Sequence, residues 1–114
     1  MKSENPVLML SFQFALDIIE YSEMLEEKRK FVLSKQVLRS GTSIGANIRE
    51  AQSSKSKQDF IHKMKIASKE AEETEYWLML CKFSKNYPNA ELLLDKVLEL
   101  KKLLGRIIFS AKTN

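Results

Sequence analysis

The sequence predicts an all-α fold, an up-and-down antiparallel four-helix bundle, and three observations carry that prediction. Apolar residues return every three or four positions along four stretches of the chain. With three Gly and two Pro in 114 residues there is little material for turns, so the elements are few and long. No stretch shows the period of two of a half-buried strand, and no internal repeat or low-complexity tract competes. A chain of this length supports one hydrophobic core, so residues 1–114 are read as a single domain. Four amphipathic helices with short loops bury their stripes most economically as such a bundle, and three helices extended by partner chains are the alternative.

The first helix is predicted over residues 6–25. Asn5 is a candidate N-cap, and Pro6 suits the first helical position, where its missing N–H costs nothing. Leu8, Phe12, Ala15, Ile18, Ile19, Ser22 and Leu25 form its stripe, with Asp17, Glu20 and Glu23 mostly away from it. The charged run Glu26-Glu27-Lys28-Arg29-Lys30 marks the reversal of the chain. The second helix, over 29–52, carries a slender stripe of Val37, Gly41, Ile44, Gly45, Ile48 and Ala51. Each glycine weakens an isolated helix by about 1 kcal/mol relative to alanine, so Gly41 and Gly45 predict another backbone packed close against this face.

Ser53-Ser54-Lys55-Ser56 breaks the pattern, and Ser56 with Asp59 three residues on is a capping-box-like start for a third helix over 57–84. Phe60, Met64, Ala67, Ala71, Thr74, Leu78 and Cys81 form its stripe, widened by Ile61, Trp77 and Phe83. Asn86-Tyr87-Pro88-Asn89 closes it with turn formers. The fourth helix, over 89–111, carries Leu93, Val97, Leu100, Leu104, Ile107 and Ala111.

A polar line runs beside the glycine-bearing stripe of the second helix: Gln36, Ser40, Ser43, Asn47 and Glu50 recur at spacings of four, three, four and three. A hairpin centred near Lys55 puts Arg39 level with Glu70 to Glu73. Gln36, Arg39, Ser43, Asn47, Glu70 and Glu73 are therefore the candidate polar network or subunit contact, with Arg39, Gln36 and Asn47 expected to bond Glu70 or Glu73.

The formal net charge is +4 and the pI about 9.2, a mild basic bias. Residues 1–30 hold four basic and six acidic side chains, 31–58 five and one, 59–86 five and five, and 87–114 five and three. Positive potential thus gathers in the second and last quarters. The lone Cys81 cannot form an internal disulfide, no signal-peptide pattern opens the chain, and charges interrupt every apolar segment short of the roughly 18 residues that a membrane span needs. The expectation is a soluble cytoplasmic protein with no membrane partner.

The runs SGTSIGANIREAQ (Ser40 to Gln52) and SKQDFIHKMKIASKEAEETEYWL (Ser56 to Leu78) resemble the four-helix bundle family named for the intervening sequences of bacterial 23S ribosomal RNA genes. Its motif carries over onto Gln36, Arg39, Ser40, Ser43, Ile44, Asn47 and Glu50, and onto Asp59, Phe60, Ala67, Glu70, Glu73 and Tyr76. The resemblance implies a ring-like homopentamer. It is also similar to the accessory protein of diversity-generating retroelements, which binds a reverse transcriptase and nucleic acid through a basic surface. That role carries over poorly, because its basic residues lie outside the shared motif.

The residue inventory argues against an enzyme and implies no metal and no cofactor. A carboxylate-bridged di-metal bundle needs two Glu-x-x-His pairs, and the only histidine here is His62, three residues after Asp59. Consecutive glutamates such as Glu72 and Glu73 spread around a helix, and Cys81 has no histidine near it in sequence to activate it. No phosphate loop, dinucleotide fingerprint or zinc spacing is present.

Sequence-tolerant binding of RNA or DNA is the leading functional expectation, with Arg49, Lys55, Lys57, Lys101, Lys102 and Arg106 as candidate phosphate contacts. A homo-oligomer would multiply each weak basic site. Tyr76 and Trp77 are read as core or subunit-interface residues before base-stacking ones. The competing expectation is a scaffold for a partner protein without nucleic-acid binding.

Overall fold

A computed structural model describes residues 5–114 and contains four helices: Pro6–Glu27 (α1), Phe31–Ala51 (α2), Lys57–Phe83 (α3) and Glu91–Thr113 (α4). Among the described residues there is no strand. Helices consecutive in the chain pack against each other, and α1 closes the square on α4 through the thinnest seam. The pairs α1/α3 and α2/α4 lie on the diagonals, as an up-and-down bundle requires.

Local chemistry explains the ends. Arg29 adopts a left-handed conformation (φ 63°), and the Lys30 N–H returns to the Leu25 carbonyl at 2.8 Å. A left-handed residue cannot continue a right-handed helix, so α2 begins at Phe31 rather than at 29. Asn5 is extended ahead of Pro6, but its side chain does not cap α1 and reaches the Gln52 Oε1 instead. The Ser56 hydroxyl does cap α3, accepting the Asp59 N–H at 3.0 Å. Asn86 (φ 65°) turns the chain after α3, and the Asn89 side-chain oxygen accepts the Glu91 N–H at 2.8 Å, which starts α4 at Glu91.

The core is one cluster built from all four helices, with Ile18, Leu25, Val37, Ile44, Ile48, Met64, Leu78, Val97 and Leu104 fully enclosed. Each such side chain contributes on the order of 1.5–3 kcal/mol of burial. The α1 stripe differs from expectation: Val7, Ser11, Phe14, Ile18, Tyr21, Ser22 and Leu25 are buried, whereas Phe12 and Ile19 stay largely exposed. Apolar residues surround most of α1, so periodicity leaves its rotation open. Contact with α2 sets it, because Gly41 lies against Ile18 and Gly45 against Ser11.

The same seam carries reciprocal serine bonds. The Ser34 hydroxyl donates to the Ser22 carbonyl at 2.9 Å, the Ser22 hydroxyl donates to the Ser34 carbonyl at 3.2 Å, and the two hydroxyls lie 2.7 Å apart. Across the next seam the Thr74 hydroxyl donates to the buried Ser40 hydroxyl at 2.8 Å. The buried Tyr21 hydroxyl donates to the Pro88 carbonyl at 2.7 Å, tying α1 to the α3–α4 turn.

Candidate nucleic-acid interface

Cutting each helix at its midpoint divides the bundle into a proximal half, where α1 and α3 begin, and a distal half that contains the α1–α2 and α3–α4 turns. The proximal half (residues 5–16, 42–70 and 102–114) holds nine cations, Arg49, Lys55, Lys57, Lys63, Lys65, Lys69, Lys102, Arg106 and Lys112. Only three carboxylates, Glu50, Asp59 and Glu70, share it. The distal half (17–41 and 71–101) holds nine cations and eleven carboxylates. A mild overall charge of +4 therefore conceals a half at +6 and a half at −2. The described chain is 47 Å long. That far exceeds the Debye length of about 8 Å at physiological ionic strength, so carboxylates near the distal turns do not neutralise cations near the proximal end, and only border groups such as Glu73 and Lys69 act across the midpoint.

The pairing differs as sharply as the count. In the distal half Lys101 reaches Glu72 at 2.8 Å and Glu75 at 2.5 Å, Lys96 reaches Asp17 at 2.6 Å, and Lys82 approaches Glu91 at 3.7 Å. In the proximal half Lys63 approaches Glu50 at 3.6 Å, and no other cation there has a carboxylate partner among the described residues. Lys57 contacts the Asn114 backbone oxygen.

Of the six candidate phosphate contacts, Arg49, Lys55, Lys57, Lys102 and Arg106 are exposed in the proximal half. Lys101 sits at its border and is committed to its two glutamates, whose hydrogen bonds raise its pKa, and it in turn holds Glu72 below the usual carboxylate range. It leaves the set of free cations. Lys65, Lys69 and Lys112 join that set and were missed, the first two because α3 spans both halves and its charges cancel when counted along the chain.

The candidate polar network is partly assembled. Arg39 donates to Glu73 at 2.5 Å, to Glu70 at 3.3 Å and to Gln36 at 3.4 Å. The hydrogen bond from Arg39 is the main reason that Glu73 titrates low. Ser43 and Asn47 stay outside it: the Ser43 hydroxyl donates to the Arg39 carbonyl at 2.6 Å and the Asn47 amide to the Ser43 carbonyl at 2.9 Å. Both bond one turn back on their own helix, an outlet always within reach of short polar side chains. The Arg39 side chain is 48% exposed, which limits the pairs to a few tenths of a kcal/mol in this chain alone.

Two apolar surfaces also face outward. On α1, Met9, Phe12, Leu16 and Ile19 recur at spacings of three, four and three, all at least 39% exposed, with Leu38 of α2 also exposed. On the opposite face, Met79 and Phe83 of α3 and Leu98 of α4 line a shared groove. His62 is exposed, and Cys81 is buried beside Tyr21, with burial pushing its thiol up. Among the described residues no group of three His, Cys, Asp or Glu side chains is placed to hold a metal ion. No described helix is long and apolar enough to cross a membrane.

The family model described as 23S rRNA-intervening sequence protein matches residues 3–106. A crystal structure from Bacteroides thetaiotaomicron VPI-5482, described as a protein with unknown function from the S23 ribosomal protein family, is 48% identical. The match covers 90% of this chain and 97% of that one, with a TM-score of 0.85. No curated protein matches.

Proposed function

The chain belongs to the 23S rRNA-intervening sequence protein family, and we propose that it is a non-enzymatic homo-oligomeric bundle that binds nucleic acid through its cationic half without reading sequence. The supporting observation is the axial segregation of charge, with eight proximal cations free of carboxylate partners among the described residues. Cations left uncompensated on one end of a rigid rod are what a phosphate backbone recruits, by releasing its condensed counterions. Among the described residues no element offers a recognition helix or a base-reading module, so the contacts that hold the nucleic acid do not read its sequence.

The exposed stripe Met9, Phe12, Leu16 and Ile19 and the α3–α4 groove across the bundle support self-association. Surfaces on opposite faces favour a head-to-tail ring over a two-fold dimer. A five-membered ring, as the sequence resemblance implies, would present five cationic ends together and raise affinity by multivalency. A reverse transcriptase is the partner protein that the same resemblance would add, in the cytoplasm.

Fluorescence anisotropy with generic single-stranded RNA and duplex DNA across a salt series tests this reading. The expected result is micromolar or tighter binding that weakens steeply with salt. Absence of binding at low salt would retire it in favour of a protein-interaction scaffold.

A further inference from the structure

A shallow concavity of about 770 Å³ lies along α3 beside α4. Lys65, Ser68 and Lys69 line its proximal end, Ile108 of α4 lies alongside, and Tyr76 stands at its distal end. Resting on the nucleic-acid reading above, we propose that this groove holds single-stranded nucleic acid, with phosphates on Lys65, Lys69 and Lys112 and an unpaired base stacked on Tyr76.

Four observations converge on that occupant. The carboxylates in the groove each pair with another cation, Glu72 with Lys101 at 2.8 Å and Glu73 with Arg39 at 2.5 Å. Among the described residues Lys65 and Lys69 therefore have no carboxylate at salt-bridge distance, and only Lys69 acts on Glu73 from further off. The ammonium groups of Lys65 and Lys112 face each other closely enough that contact with Lys112, then charge repulsion from it, holds Lys65 below the usual lysine range. A phosphate bridging the two would relieve that repulsion. Tyr76 is 56% exposed, and its ring is propped at 59° against Trp77 with centroids 5.3 Å apart. An aromatic ring held out toward solvent is a stacking platform that any base can use.

The spacing fits as well. Eleven residues of helix separate Lys65 from Tyr76, roughly 16 Å, the reach of a few nucleotides. A duplex keeps its bases stacked within the helix and cannot offer one to Tyr76, which is why the groove selects a single strand.

The test uses fluorescein-labelled 20-mers of oligo-U and oligo-dT, and a duplex of equal length, with the full chain. Tyr76→Ala is expected to weaken single-strand binding by roughly fivefold or more. The pair Lys65→Gln and Lys112→Gln is expected to flatten the log K against log salt slope by about 1.4. Lys85→Gln, in the distal turn, is expected to change neither. If the unaltered protein binds and the groove variants bind as it does, the groove assignment is overturned while the cationic-half reading stands. If duplex binds more tightly and Tyr76→Ala has no effect on either ligand, the single-strand assignment is overturned. If the unaltered protein binds no probe, both readings fail together.

Discussion

Between α1 and α2 the helices approach so closely that a methyl carbon added at Gly41 would lie 2.8 Å from two carbons of Ile18. One added at Gly45 would lie 3.3 Å from the Ser11 carbonyl oxygen. Between α3 and α4 the junction is spanned by long side chains, as where Lys101 reaches Glu72 and Glu75, and Gly105 on α4 faces no atom within 4 Å. The first seam is defined by small residues and buried serine bonds and leaves little room for added volume, least at Gly41. The second has space for exposed side chains to vary, and the groove that holds Lys65 and Tyr76 lies beside it. The closest backbone approach belongs to one hairpin and the more open junction to the other.

The strongest way to break that contrast is Gly41→Val. Its branched side chain meets the β-branched, fully buried Ile18, which cannot swing aside, so the expected loss is about 3 kcal/mol in urea unfolding. An unchanged midpoint would show that the seam relaxes. Ser34→Ala removes two of the reciprocal contacts with Ser22 in a buried setting and is expected to cost about 1.5 kcal/mol by the same measurement.

Tyr21→Phe removes the hydrogen bond to Pro88 and is expected to cost about 1 kcal/mol. It also sharpens a pH dependence. Burial is the main cause that pushes Tyr21 and Cys81 above their ordinary values of 10.0 and 9.0, so above about pH 9 the unfolded chain loses these protons before the folded one does. Stability is fully present below that pH and falls as pH rises, and Tyr21→Phe makes the decline shallower. A thermal-melt series from pH 7 to 11 in both proteins measures it. At the permissive end of the comparison, Gly105→Ala is expected to gain about 0.5–1 kcal/mol, because an exposed helical glycine is replaced where nothing obstructs a methyl group.

The helices were legible because punctuation marked them: Pro6, the Ser56–Asp59 cap and Pro88 bracket elements whose interiors keep helical period. Contact between Arg39 and the Glu70–Glu73 turn was legible too, since a hairpin near Lys55 sets the register of α2 on α3. The rotation of α1 was not, because an apolar majority gives periodicity nothing to choose between. Nor was the exclusion of Asn47, whose amide has a carbonyl of its own helix within reach. The polarisation of charge was hidden for a geometric reason. Lys63, Lys65 and Lys69 open α3 and Glu72, Glu73 and Glu75 follow, so a count along residues 59–86 returns zero where the bundle separates the two groups along its axis.

The central claim is that position along the bundle, and not overall charge, determines nucleic-acid binding. Two triple variants decide it, each removing three positive charges: Arg49→Gln, Lys55→Gln and Lys57→Gln at the proximal end, and Lys28→Gln, Arg29→Gln and Lys85→Gln at the distal turns. With labelled oligo-U at low salt, the proximal triple is predicted to lose at least tenfold in affinity and to flatten the salt slope by about 2, with the distal triple close to the unaltered protein. Equal losses in the two variants would contradict the account and reduce the interaction to net charge alone.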